Sequence, residues 1–165
     1  MRMRRRVAPS FRHGWPRANR FTYDRWHGWW HLARNATPPA FAFGFGLSYT
    51  TFAVGDVGVT NDATTITVTG QLRNTGDRDG ADVVQVYAEL PDPDAPARLV
   101  GFARLEVPAG GSAAFEIDVR VDRLATRDAV ARAWRPATGE HRIVVARFAG
   151  DPDARMLTVA VNARR

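Results

Sequence analysis

The sequence predicts an all-β protein: two antiparallel sheets packed face to face, about seven strands in all, behind an irregular N-terminal extension. Three observations carry this prediction. From Leu47 onward apolar residues recur at every second position rather than every third or fourth. The alternating runs are short and are separated by clusters of Gly, Pro, Asn and Asp at hairpin spacing. No long helical period alternates with them, which argues against a parallel α/β sheet.

The change of regime falls at Phe41-Ala42-Phe43-Gly44-Phe45-Gly46-Leu47-Ser48-Tyr49-Thr50-Thr51-Phe52. Phe41, Phe43 and Phe45 at every second position are expected to share one face of an extended segment. Gly44 and Gly46 let the backbone turn or lie close against another surface. Ser48 to Phe52 reads as the first strand. Ile66, Val68, Gly70 and Leu72 then alternate with Thr65, Thr67, Thr69 and Gln71, and residues 74–80 carry turn chemistry. Val84, Val86, Ala88 and Leu90 alternate with Gln85, Tyr87 and Glu89. A Pro-rich loop at 91–96 precedes a strand from Leu99 to Val107. Phe115, Ile117, Val119 and Val121 interleave with Glu116, Asp118, Arg120 and Asp122, so a slip of one residue would bury a wholly charged face. Asp122 to Ala133 has a short helical look, followed by Trp134 and a turn at Gly139-Glu140. Ile143 to Phe148 and Leu157 to Val161 are the last strands. Together these predict an immunoglobulin-like sandwich over residues 47–163.

Composition separates the two ends of the chain. Residues 1–35 hold nine Arg against the single acid Asp24, a charge of +8, whereas residues 36–165 hold fourteen Arg against sixteen acids, a charge of −2. The net +6 is therefore a property of the leader. Residues 1–20, with Arg2, Arg4, Arg5 and Arg6 repelling one another, are expected to be disordered. An arm for nucleic acid or an anionic membrane is the alternative, but no stacking aromatics or groove-reading fold accompany the charges. Neither nucleic acid nor membrane is expected as a partner. Residues 21–46 form an aromatic linker. Trp26, Trp29, Trp30, Phe41, Phe43 and Phe45 would together cover on the order of 1,000 Å², more than a small sandwich leaves open. Either the sandwich or a neighbour must cover them.

There is no Cys, so neither disulfides nor thiolate metal sites arise, and the redox compartment stays open. No run of about 18 apolar residues suggests a membrane span. The N-terminal arginines lack a following apolar region, so no ordinary signal peptide is expected and a cytoplasmic location is favoured.

Candidate chemistry is sparse. His27 and His31 stand four apart, the spacing of a helical zinc pair, without an internal Glu or a third ligand. Asp77-Arg78-Asp79-Gly80 resembles a calcium loop only until its twelfth position, Val86, where a bidentate Glu is needed. Gly44-Phe45-Gly46 has no strand–loop–helix context for a nucleotide. Asn35-Ala36-Thr37 fits a glycosylation triplet but lacks a secretory context. Glu89, Glu106, Glu116 and Glu140 are the glutamates available for a carboxylate pair, and Glu116 and Asp118 share only a solvated face. Ser48 and Ser112 have no arranged His or Asp partner. No catalytic residue, metal or cofactor is expected.

A resemblance adds to this reading. Tyr23-Asp24-Arg25-Trp26-His27-Gly28-Trp29-Trp30, then Phe43-Gly44-Phe45-Gly46-Leu47-Ser48-Tyr49-Thr50, then Asn74-Thr75-Gly76 with Asp82-Val83-Val84-Gln85-Val86-Tyr87 are similar to three stretches of family 3 glycoside hydrolases, the β-glucosidases and β-xylosidases. Gly101-Phe102, Pro108-Ala109-Gly110, Trp134 and Gly139-Glu140 are weaker echoes. The resemblance covers the C-terminal fibronectin type III-like domain and the end of the preceding α/β domain. It implies that the nucleophilic Asp lies on a barrel domain and the acid/base Glu on the middle domain. A barrel needs roughly 250 residues and has no room here. The chain thus reads as an accessory module without activity alone, a truncated product, a split gene or a fragment. Its expected partner is the catalytic part of such an enzyme, in cis or in trans, with self-association a further possibility. Trp26, Trp29, Trp30, Phe41, Phe43, Phe45 and Tyr49 are the residues expected to dock it. The alternative is a stand-alone carbohydrate-binding or adhesion module in which Trp26, Trp29 and Trp30 stack on sugar rings.

Overall fold

The structure, a computed structural model, describes residues 26–91, 97–128, 130–135 and 138–162. The predicted disordered leader therefore lies outside the described residues. The chain divides between Phe43 and Gly44 into two compact units.

Among the described residues of the smaller unit there is one helix, α1, at Trp29–Arg34. Gly28 precedes it at φ 60 with no side-chain cap. The end of α1 is closed by the backbone: Thr37 N–H donates to the Leu32 carbonyl at 2.9 Å and Ala36 N–H to that of Ala33 at 3.1 Å. Ala36 takes the left-handed conformation, φ 47, that such a helix end requires.

The larger unit is the predicted sandwich. Its strands are β1 (Phe52–Asn61), β2 (Thr65–Asn74), β3 (Gly80–Glu89), β4 (Arg98–Val107), β5 (Ser112–Arg120), β8 (Gly139–Ala146) and β9 (Arg155–Val161). Two further short strands, β6 (Thr126–Asp128) and β7 (Ala133–Arg135), pair only with each other. One sheet has the order β1-β2-β5 and the other β4-β3-β8-β9, all antiparallel. Ile66, Val68 and Leu72 of β2, Val84 and Val86 of β3, Phe115, Ile117 and Val119 of β5, and Ile143 and Val145 of β8 fill the space between the sheets. On β5 the burial alternates without a break, Glu116, Asp118 and Arg120 facing solvent. That is the register the charge pattern demanded.

Three local expectations are corrected. The first strand begins at Phe52 and runs to Asn61, so Ser48 to Thr51 is not part of it. The backbone turns at Phe43–Gly44, with Gly44 at φ 79, so Phe41, Phe43 and Phe45 do not line one face of an extended segment. Asp122 to Ala133 is not a helix. A 3-10 turn over Val121–Leu124 buries Val121 and Leu124, and the β6–β7 ribbon follows. The reason is Asp128. Its carboxylate accepts the backbone N–H groups of Val130 and Ala131, both at 2.9 Å, and pairs with Arg135 across the ribbon. A short side chain that holds its own backbone in this way favours a turn over helix.

In β1 the register shifts between Gly55 and Gly58, and Asp56 is held there at φ 51. Aspartate tolerates this region but is not at ease in it. Asp56→Gly is expected to raise stability by about 0.5 kcal/mol, read as a higher urea midpoint. A lower midpoint would show that the Asp56 carboxylate contributes more than its backbone strain costs.

Candidate docking residues and the motifs that hold them

Among the described aromatics of the smaller unit, Trp29, Trp30, Phe41 and Phe43 are exposed, whereas Trp26 is half-buried. None of the residues of α1 is buried. Trp29 is 45% exposed, Trp30 37%, Phe41 69% and Phe43 40%. Trp29 meets Phe43 edge-on with centroids 6.0 Å apart, Trp30 meets His27 edge-on at 6.5 Å, and the Arg34 guanidinium lies 4.5 Å over the Trp26 ring. A helix of this length is marginal on its own propensity, so these side-chain contacts and the backbone closure at its end support it. Gly28 at φ 60 breaks the helix before Trp29, which leaves His27 outside α1. The helical zinc spacing of His27 and His31 is therefore not realised. No cluster of three metal-ligating side chains occurs among the described residues. The Asn35 side chain donates to the His31 carbonyl at 2.7 Å.

In the larger unit Leu47 and Tyr49 are almost wholly exposed, and Phe45 is 42% exposed. Phe45 lies edge-on to Phe148 with centroids 5.4 Å apart, and the Arg147 guanidinium stands 5.7 Å from the Phe148 ring. Behind Phe45, Gly44 passes directly over Gln85. A Cβ on Gly44 would fall 2.7 Å from Gln85 Oε1. Gln85 is buried on the outer side of β3. Its Nε2 donates to the Arg147 carbonyl at 2.7 Å, and its Oε1 accepts the Tyr87 hydroxyl at 2.5 Å. Burial pushes the Tyr87 phenol up to about 12, so it remains the donor. Burial also raises the Asp82 carboxyl. Asp151 is 6% exposed, and burial works to raise its carboxyl too. The N–H groups of Asp153 and Arg147 and the Arg147 guanidinium outweigh that and hold it below the usual range.

The second knot is Asn74, fully buried at the end of β2. Its Nδ2 donates to the carbonyls of Arg78 at 2.7 Å and Val107 at 3.0 Å. Its Oδ1 accepts the Thr50 hydroxyl at 2.6 Å and the Gly76 N–H at 3.1 Å. Thr75 N–H donates to the Thr51 carbonyl at 2.8 Å. Gly76 leaves room for Thr50, and a Cβ there would lie 3.2 Å from the Thr51 nitrogen. Residues 44–51 are thus tied to the sandwich at two places. Gly44 lies close against Gln85, and the Asn74-Thr75-Gly76 turn holds Thr50 and Thr51 by hydrogen bonds.

The remaining sequence candidates do not assemble into a reactive site. Glu89 pairs with Arg142 and Glu106 with Arg104, while Glu116 and Glu140 are exposed. Asp118 accepts the Thr67 hydroxyl at 2.7 Å on the exposed sheet face. Asp79 accepts the Ala109 N–H at 2.9 Å, so the 74–80 segment is a braced turn. Ser48 Oγ accepts the Thr50 N–H at 3.3 Å, and Ser112 opens β5 on its exposed side. No helix among the described residues is long and apolar enough to cross a membrane.

Two sheets of three and four antiparallel strands, in the order β1-β2-β5 and β4-β3-β8-β9, define a fibronectin type III-like sandwich. Residues 82–149 match the fibronectin type III-like domain family. A xylan 1,4-beta-xylosidase of Xylanibacter ruminicola is 35% identical over 125 residues, 73% of this chain and 14% of that protein. A probable beta-glucosidase M of Emericella nidulans is 33% identical over 137 residues, 68% of this chain and 18% of that protein. Among solved structures, DesR, a beta-glucosidase from Streptomyces venezuelae in complex with D-glucose, superposes with a TM-score of 0.76 at 30% identity, covering 83% of this chain and 18% of that one. The chain belongs to the fibronectin type III-like domains of family 3 glycoside hydrolases. It spans less than a fifth of the length of these relatives.

Proposed function

We propose that this chain is an accessory, non-catalytic module of a β-glucosidase-like family 3 hydrolase, docked by its exposed aromatics onto the catalytic part of that enzyme. The observation that carries the reading is the exposure of large apolar side chains in both units: Trp29, Trp30, Phe41 and Phe43 in the smaller, and Phe45, Leu47 and Tyr49 in the larger. Side chains of this kind are anchors at protein interfaces. The lead-in to β1 packs against Gln85 at Gly44 and is hydrogen-bonded to Asn74 at Thr50, on either side of Phe45, Leu47 and Tyr49. Hydrolysis of O-glycosyl bonds belongs, in this reading, to the larger enzyme.

The test is made on the purified 165-residue chain. It is expected to bind a hydrophobic dye or to self-associate, and to release no aglycone from aryl β-glucosides or β-xylosides. Replacing Trp29, Trp30 and Phe41 together by Ser is expected to lower dye binding at least threefold. A chain that is strictly monomeric and dye-negative would overturn docking, and turnover of either glycoside would overturn the accessory role. Titration calorimetry against gluco- and xylo-oligosaccharides separates the remaining alternative. Binding abolished by Trp29→Ala would make the chain a carbohydrate-binding module instead.

A further inference from the structure

His141 has no part in docking, yet it is one of the most enclosed side chains in the protein. It lies on the inner face of β8, opposite Val159 of β9, with no exposed surface. Its Nδ1 is 3.1 Å from the carbonyl oxygen of Gly139. A carbonyl can only accept, so Nδ1 carries the proton and donates. Nε2 is buried and has no hydrogen-bond partner. The site therefore suits one form of the ring, the neutral Nδ1–H tautomer, whose bare Nε2 lone pair is the least costly group to leave unpaired. Protonation would place an N–H and a positive charge where no acceptor waits.

The charged neighbours offer no relief. On β8 itself Glu140 and Arg142 alternate to the outer face, and Arg142 is paired there with Glu89 of β3. On β9 Arg155 reaches the Val54 carbonyl at 3.4 Å. On and beside β1, Asp56 sits at the bulge, and Asp62 accepts the N–H groups of Thr64 and Thr65. At the 3-10 turn Asp122 is paired with Arg120, and Arg123 donates to the Val100 carbonyl. The other buried titratable side chain among the described residues, Asp151, is held by Arg147.

We propose that His141 is an acid-responsive latch: neutral, it closes the core beneath β8 and β9, and protonated, it must leave the core and loosen that edge of the sandwich. Burial pushes its pKa below the ordinary 6.5, the Gly139 carbonyl pulling the other way. A depressed folded-state pKa gives stability that is fully present above the unfolded value and is lost as pH falls below it.

The experiment is urea unfolding of the full chain between pH 7.5 and 5, with His141→Leu as the reference. Asp82, raised by burial, acts in the opposite direction at the acid end, so the quantity read is the difference between the two proteins. The wild-type unfolding constant is expected to rise, relative to that of His141→Leu, by up to about tenfold per pH unit below 6. A double change of the exposed pair, His27→Gln with His31→Gln, is expected to keep the wild-type dependence. If His141→Leu does not fold, the imidazole resonances of the wild type decide. They are expected to show the Nδ1–H tautomer persisting below the pH at which an ordinary imidazole is half protonated, while the fold persists. Parallel pH profiles for wild type and variant, or a His141 resonance titrating near 6.5 in the intact fold, would overturn the proposal.

Discussion

Asn74→Leu is expected to destabilise the sandwich by about 4 kcal/mol, more than loss of most single apolar core groups. The side chain is fully buried, and its four hydrogen-bonding positions are all used. Leucine matches its bulk but leaves two carbonyls, one hydroxyl and one backbone N–H without partners. Each orphan costs about 1–3 kcal/mol where water cannot reach it. Partial rehydration at the Thr50 and Arg78 side of the turn keeps the sum near the lower end. Asn74→Asp separates the two halves of the argument, because it retains the acceptor for Thr50 and Gly76 but sets a carboxylate against the Arg78 and Val107 carbonyls. It is expected to be as damaging as leucine at pH 7 and to recover part of the loss near pH 4, where a protonated carboxyl donates again. Urea unfolding monitored by fluorescence measures both. A loss below about 1 kcal/mol for the leucine variant would mean that the 74–80 turn holds its shape without this side chain.

The parts of the fold that were legible beforehand are those governed by a period of two. Phe115, Ile117 and Val119 against Glu116, Asp118 and Arg120 specify a strand and its buried face and exclude a slip of one residue, which would bury charge. β2 was readable for the same reason. The ribbon at 126–135 was not. Its residues carry enough Ala and Arg to look helical, and the deciding interaction is a single carboxylate, that of Asp128, closing on backbone three residues away. Local competition of this kind leaves no periodic trace. Ser48 to Thr51 failed as a strand because Thr50 and Thr51 are recruited sideways by Asn74 and Thr75, contacts more than twenty residues distant in sequence. His141 leaves no signal in the sequence, since a histidine at an inward strand position looks like any other alternating residue until its burial is seen.

Residue type alone singles out the aromatics of residues 26–49 but leaves open whether the sandwich covers them. Of the residues that tie down the segment bearing Phe45, Leu47 and Tyr49, Gly44 and the 74–80 turn are legible as turn chemistry, but their partners are not. Gly44 and Gln85 lie forty-one positions apart, one in a glycine–aromatic stretch and one in a strand, and nothing in either stretch indicates that they touch. Asn74-Thr75-Gly76 and Thr50-Thr51 form a second such pair. The stretches that mark the chain as a family member are thus, in large part, a fastening that holds the lead-in segment against the sheet.

Gly44→Ala is expected to cost about 3 kcal/mol, for two separable reasons. A φ of 79 is costly for any residue with a Cβ, by about 1–2 kcal/mol. The added methyl would also fall 2.7 Å from Gln85 Oε1 and 2.8 Å from its Cδ. Gln85 cannot swing aside freely, because doing so breaks its bonds to the Arg147 carbonyl and the Tyr87 hydroxyl in a buried site. The collision accounts for the rest, about 1–2 kcal/mol. The two contributions part in a double-mutant cycle with Gln85→Ala, which removes the collision and leaves the backbone strain. In that background Gly44→Ala is expected to cost only about 1–2 kcal/mol, giving a coupling of about 1–2 kcal/mol between the two sites. Additive losses would mean that Gly44 matters for its backbone conformation alone, and that residues 44–49 do not depend on the β3 glutamine for their position. A measured coupling would instead tie the presentation of Phe45, Leu47 and Tyr49 to a buried amide on the sheet beneath them.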